Sequence, residues 1–101
     1  MTENIIDWDE ISRTPNLPEE FIRENKDNVY WPNISFYQEL SEEFLREFQD
    51  KIYWKYISYK QILSQEFIID YFDRLDLDLL LENKQITLSD DVKLLIKIKK
   101  L

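Results

Sequence analysis

The sequence contains no histidine, no cysteine and no glycine among its 101 residues. Without histidine or cysteine, the chain cannot form a Ser-His or Cys-His nucleophile pair, a redox dithiol or an ordinary zinc site. Without glycine, it cannot build a glycine-rich phosphate loop or the strained turn that presents a nucleophilic serine, because only glycine adopts those backbone conformations cheaply. We therefore expect a protein that is not an enzyme and that needs no cofactor and no metal.

Long apolar segments are absent as well, since no apolar run exceeds three residues. The first ten residues are acidic, whereas a signal peptide begins with a basic segment followed by an apolar one. These features predict a soluble, cytoplasmic protein. The net charge of -8 should repel nucleic acid and anionic membranes. The partner that we expect is therefore a basic or neutral protein, with self-association as a further possibility.

A 23-residue repeat organises the chain, because Trp8, Trp31 and Trp54 are evenly spaced and their surroundings recur with them. Each Trp is followed at fixed distances by an Ile-Ser pair, then by Leu and by Phe: Ile11-Ser12, Leu17 and Phe21; Ile34-Ser35, Leu40 and Phe44; Ile57-Ser58, Leu63 and Phe67. A degenerate fourth unit begins near Leu77 and resembles a terminal cap. We predict one domain over 1–101, with units at about 7–29, 30–52, 53–75 and 76–101.

Each unit has the pattern of two helices. In the second unit an apolar residue recurs every four positions from Leu40 to Ile52, which predicts an amphipathic helix across that span. Ser41 and Ser64 are placed as N-caps of such helices, and the preceding Trp-x-x-Ile-Ser segment predicts a shorter helix of about two turns. One unit is too small to fold alone, so neighbouring units must stack. The predicted fold is all-α, either a small α-solenoid or a compact bundle of stacked two-helix repeats.

The unit that runs from Trp31 through Ile34-Ser35 and Leu40-Ser41-Glu42-Glu43-Phe44-Leu45 to Phe48 resembles short helical repeats of uncharacterised proteins from phages and large DNA viruses. The resemblance covers about 7–75 and weakens towards the end of the chain. It implies a viral or prophage origin and a helical repeat, and it transfers no catalytic residue. Asn25 departs from the pattern, because it stands where the second unit has Phe48.

Carboxylates recur with the same period. They are predicted to lie on one face of each second helix, at positions i, i+4 and i+7. The nine residues are Glu20, Glu24 and Asp27; Glu43, Glu47 and Asp50; and Glu66, Asp70 and Asp73. The acidity is concentrated in residues 1–50, which hold 13 acidic and 4 basic side chains, against 8 acidic and 9 basic in residues 51–101.

This regular spacing suggests a surface that imitates a phosphate backbone and occupies a basic nucleic-acid-binding site. The leading hypothesis is a phage- or virus-encoded inhibitor of a host defence protein, of the anti-CRISPR or anti-restriction type, with the nine carboxylates as its binding residues. A solvated charged face without a partner, partly neutralised by pairs such as Glu19 with Arg23 and Arg23 with Asp27, explains the same pattern.

Two further classes of function stay open. A structural, self-assembling protein would use the acidic first half and the lysine-rich end of the chain as charge-opposed ends. A small carboxylate hydrolase would need two opposed, buried carboxylates in a pocket. The three tryptophans are expected in the core rather than on a ligand-stacking surface, and the repeated serines are expected to permit close helix approach.

Overall fold

The computed structural model describes residues 5–101 and forms eight helices in that range, with no strand. The prediction of an all-α fold is confirmed. The helices are α1 (Trp8–Arg13), α2 (Glu19–Glu24), α3 (Trp31–Tyr37), α4 (Glu42–Glu47), α5 (Trp54–Lys60), α6 (Gln65–Asp70), α7 (Leu77–Leu81) and α8 (Asp90–Lys99). None of these helices is long and apolar enough to span a bilayer.

The units stack in chain order and give two layers of helices. The odd-helix layer contains α1, α3, α5 and α7, each packed directly against the next, and the even-helix layer contains α2, α4, α6 and α8. The molecule measures 61 × 21 × 20 Å. Such an elongated shape is that of a short α-solenoid rather than of a compact bundle.

The core lies between the two layers and is built from the repeated apolar residues. Trp31 is 9% exposed, and its ring centroid lies 6.2 Å from that of Phe44 and 5.2 Å from that of Phe48. Trp54 makes the equivalent contacts with Phe67 and Tyr71 one unit later. The expectation that the tryptophans belong to the core is confirmed, because Trp8 and Trp54 also pack against it as half-buried rings.

The predicted N-caps of the even helices are confirmed. The Ser41 hydroxyl accepts a hydrogen bond from the Phe44 N–H at 3.1 Å, and Ser64 accepts one from Phe67 at 3.0 Å. Pro18 precedes α2 and provides no such cap. The serine caps fix where α4 and α6 begin.

The even helices end earlier than the apolar period predicts. The second unit's helix stops at Glu47, and Phe48 and Ile52 lie in the turn that follows it. Side chains stabilise this turn: the Gln49 amide donates to the Arg46 carbonyl at 2.9 Å, and the Trp54 indole donates to the Gln49 carbonyl at 3.1 Å. The apolar residues at this spacing therefore all pack in the core, but a turn rather than a longer helix places the last two there.

Candidate protein-binding surfaces

All nine predicted carboxylates are exposed, but only six of them lie on helices. Those six occupy α2, α4 and α6, two on each. Asp27, Asp50 and Asp73 lie in the turns after these helices, because each helix ends three residues before the aspartate. The prediction that three carboxylates share one helical face in every unit is therefore wrong for the third residue of each set.

Ion pairs between units neutralise part of this surface. The Arg23 guanidinium binds both carboxylate oxygens of Glu47 in the next unit at 2.8 to 3.0 Å and also reaches Glu20 at 3.1 Å. Arg46 repeats the arrangement with Asp70 at 2.9 Å. The expected pairs of Arg23 with Glu19 and Asp27 do not form, because the guanidinium extends across to the neighbouring helix.

The remaining pairs leave a smaller set of free carboxylates. Arg74 lies 3.7 Å from Asp50, and Lys99 lies 3.4 Å from Asp73. Within residues 5–101, the predicted carboxylates that have no cation within 4.0 Å are Glu24, Asp27, Glu43 and Glu66. These four residues are called the free carboxylates below.

The paired groups show the expected electrostatic response. Hydrogen bonding from Arg23 is the main cause that lowers the pKa of Glu47 below its ordinary value of 4.5, and partial desolvation opposes it. The same contact raises the pKa of Arg23, and the hydrogen bond to Asp70 raises that of Arg46. Arg23 and Glu47 therefore both stay ionised near neutral pH.

A second row of carboxylates joins units through the caps. Glu19 accepts hydrogen bonds from the Ser41 N–H at 2.7 Å and from its hydroxyl at 2.9 Å. Glu42 binds Ser64 in the same way at 2.6 and 2.9 Å. Each serine thus caps its own helix and is held by the acidic residue one unit earlier.

The repeated serines of the odd helices also bind the next unit. Ser12, Ser35 and Ser58 are fully buried, and their hydroxyls accept the backbone N–H of the residue that precedes the next odd helix, at 2.8 to 2.9 Å. We expected these serines to act through small size alone. The structure adds a hydrogen bond that joins units and gives each of these partly buried N–H groups an acceptor.

Two buried glutamines that sequence reasoning missed hold the units together. Gln61 accepts the Leu40 N–H at 3.0 Å and donates to the carbonyls of Ser35 at 3.1 Å and Gln38 at 2.6 Å. Gln38 makes the equivalent contacts with the first unit. Their signal in the sequence is their spacing of 23 residues, since a repeated amide at the end of a repeated helix indicates a structural role.

The odd-helix layer carries a different surface. Six aromatic residues on α3, α5 and the residues before them lie partly or largely exposed: Tyr30, Phe36, Tyr37, Tyr53, Tyr56 and Tyr59. We call this set the aromatic surface. The Phe36 and Tyr56 rings meet edge to face at 5.4 Å, and the Lys60 ammonium lies 4.8 Å from the centre of the Phe36 ring.

The arrangement of acidic groups limits the chemistry of the described part of the chain. No Asp or Glu in residues 5–101 is buried, so the opposed buried pair that a carboxylate hydrolase requires is not present there. Nor does any group of three acidic side chains in that range converge as a metal site.

Fold and surfaces together define a short helical-repeat protein with an acidic even-helix layer and an aromatic surface on the odd-helix layer. Comparison with protein-family models, curated proteins and solved structures finds no match to this chain. The resemblance to viral repeats therefore stays a prediction.

Proposed function

We propose that the chain is a non-enzymatic protein-binding module that occupies a basic nucleic-acid-binding site of another protein through its even-helix layer. In its more specific form, the proposal is a phage- or virus-encoded inhibitor that acts in the host cytoplasm on a defence enzyme of the CRISPR or restriction type. The observation that carries the proposal is the set of free carboxylates, which recurs along one layer of a rigid array.

The charge balance of this layer supports an attraction to basic surfaces. Residues 19–28, 42–51 and 65–74 contain eleven acidic and five basic side chains. Three of the five cations are arginines that form ion pairs within the array, which removes them from competition for a partner. A surface of this kind speeds association with a cationic cleft and raises specificity for it.

Assembly through charge-opposed ends stays a prediction, but the repeat does not favour assembly in which a second copy continues the array. Pro15 and Pro18 stand in the first unit where the next two units have the glutamine and the serine that bind the preceding unit. Leu81 stands in the fourth unit where the earlier units have the serine that binds the following one. A second copy therefore cannot extend the array through the same hydrogen bonds.

The test reverses charge at carboxylates that do not hold the array together. A variant with Glu24→Lys, Glu43→Lys and Glu66→Lys should weaken inhibition of a sensitive nuclease by about tenfold or more, because every one of these residues would then repel a basic cleft. Inhibition is measured as DNA cleavage by a panel of purified restriction and CRISPR nucleases. Circular dichroism should show unchanged helicity.

A matched control separates the surface from net charge. Glu10→Lys, Glu39→Lys and Glu82→Lys change the charge by the same amount at exposed positions outside the even helices, and this variant should inhibit like the wild type. Equal loss in both variants would assign the effect to net charge. Full inhibition by the first variant, or no inhibition of any nuclease by the wild type, would contradict the proposal.

A further inference from the structure

The aromatic surface does not follow the repeat. Core positions recur in the first three units, whereas the exposed aromatic positions of the second and third units hold no aromatic residue in the first and fourth units. At the positions equivalent to Tyr30 and Tyr53, for example, the first and fourth units have Asp7 and Asp76. Stacking therefore does not require these rings. Tyr30, Tyr37, Tyr53 and Tyr59 nevertheless remain 40 to 52% exposed in the middle of the array.

Two shallow grooves run across this surface. One has a volume of about 270 Å³ and is lined by Tyr30, Asn33 and Tyr56, among others. The second, of about 280 Å³, is lined by residues that include Lys60. Phe36 and Tyr37 border both grooves, so the grooves are adjacent and an extended chain can pass through both.

The polar groups of the aromatic surface include tyrosine hydroxyls, which can donate as well as accept hydrogen bonds. Within residues 5–101, no hydroxyl of its five tyrosines binds another protein group, and Lys55 and Lys60 form no ion pair. The buried amide of Gln61 is fully used between the units. Glu39, at the edge of the second groove, is the one acidic side chain that lines either groove. A ligand that covers these rings can therefore accept hydrogen bonds from the tyrosine hydroxyls, and a carboxylate on it can pair with Lys60.

We propose that the aromatic surface binds an extended, proline-rich peptide segment that carries carboxylates. A polyproline II chain leaves its carbonyls free to accept from the tyrosine hydroxyls, and proline has no N–H that would need an acceptor. Aromatic grooves bind such chains well because the peptide is already extended and loses little entropy. Lys60, which lines the second groove, supplies charge complementarity for a carboxylate. This binding is independent of the function proposed for the even-helix layer.

The test uses a synthetic peptide of repeated Pro-Pro-Glu triplets, with binding measured by calorimetry and by NMR shifts of the protein. Tyr37→Ala and Tyr56→Ala should each weaken binding by about tenfold, because exposed tyrosines at the centre of an interface contribute most of its affinity. Lys60→Glu should weaken it as well and should favour a Pro-Pro-Lys peptide. Ile69→Ala, which alters an equally exposed apolar side chain on α6, should leave binding unchanged.

Other outcomes overturn the proposal. Equal binding of a Gly-Ser-Glu peptide would show attraction to charge without recognition of the extended proline chain. Shifts confined to the even helices, no binding of the Pro-Pro-Glu peptide, or stronger binding of an oligonucleotide to the same tyrosines would each refute it. The variant with three lysines in the even-helix layer should still bind the peptide, so failure of one proposal is distinguishable from failure of the other.

Discussion

Replacing Gln61 by alanine should weaken the junction between the second and third units more than an exposed polar substitution weakens the next junction, between the third and fourth units. The side chain is 2% exposed and makes three hydrogen bonds to backbone groups of the second unit. Alanine removes all three and leaves the Leu40 N–H and two carbonyls without that partner. Among the other residue types only asparagine carries both an amide oxygen and an NH2 group, and its side chain is shorter by one methylene.

The expected cost follows from these contacts. A typical intramolecular hydrogen bond contributes about 1 kcal/mol net, so the loss of three gives about 3 kcal/mol. That is a large fraction of the roughly 5 to 15 kcal/mol by which a domain of this size is usually stable. Gln65→Ala is the matched control, because Gln65 also joins two units but through two exposed hydrogen bonds that water can replace. Its cost should stay below about 1 kcal/mol.

Urea denaturation followed by far-UV circular dichroism measures both variants. Because each unit contacts only its neighbours, a weakened junction should also let the two halves unfold separately, which lowers the slope of the unfolding free energy against urea. A cost for Gln61→Ala no greater than that for Gln65→Ala would refute the assignment of Gln61 as the main polar link between these units.

Two further predictions concern other links between units. Arg23→Gln should raise the midpoint of the Glu47 carboxyl titration, measured by NMR, towards 4.5, because the guanidinium holds the pKa of Glu47 below that value in the folded chain. A carboxyl whose pKa is lower in the folded than in the unfolded chain stabilises the fold at pH values above the unfolded pKa. The wild type should therefore lose the stability contributed by the Arg23–Glu47 pair as the pH falls below 4.5. An equal loss of stability in Arg23→Gln over this pH range would contradict the pairing. Ser35→Ala should lower the free energy of unfolding by about 1 kcal/mol, because the partly buried Tyr53 N–H loses its acceptor. Thermal denaturation measures this loss, with Ser41→Thr as the control because it changes an exposed serine and keeps a capping hydroxyl. Equal stability of the two variants would contradict the role of Ser35.

The fold could be predicted from the sequence because its determinants are local and repeated. The 23-residue spacing of Trp31 and Trp54 indicates the unit, and Ser41 and Ser64 mark where the even helices begin. The helix ends could not be predicted in the same way. A turn places Phe48 and Ile52 against the core as well as a helix would, so the apolar spacing does not distinguish the two.

The partners of the polar groups could not be predicted because they lie in other units. Arg23 has acidic residues four positions away on both sides, yet it binds Glu47, which is 24 residues away and becomes a neighbour only when the units stack. The same holds for Gln61 and Leu40, 21 residues apart. The residue pattern within one helix cannot show which residues of another unit lie close to it in space. The nine carboxylates of the predicted acidic face therefore reduce to four without an internal cation.

Positions that recur and positions that do not recur carry different information in a repeat protein. A residue found in each of the first three units is explained by stacking, as the links made by Ser12, Ser35 and Ser58 show. A residue that breaks the period while staying exposed has no such explanation. The aromatic surface is confined to two adjacent units and so departs from the period, whereas the free carboxylates follow the period in part. The aromatic surface is therefore the more specific indication of a partner, and the acidic layer is the more general one.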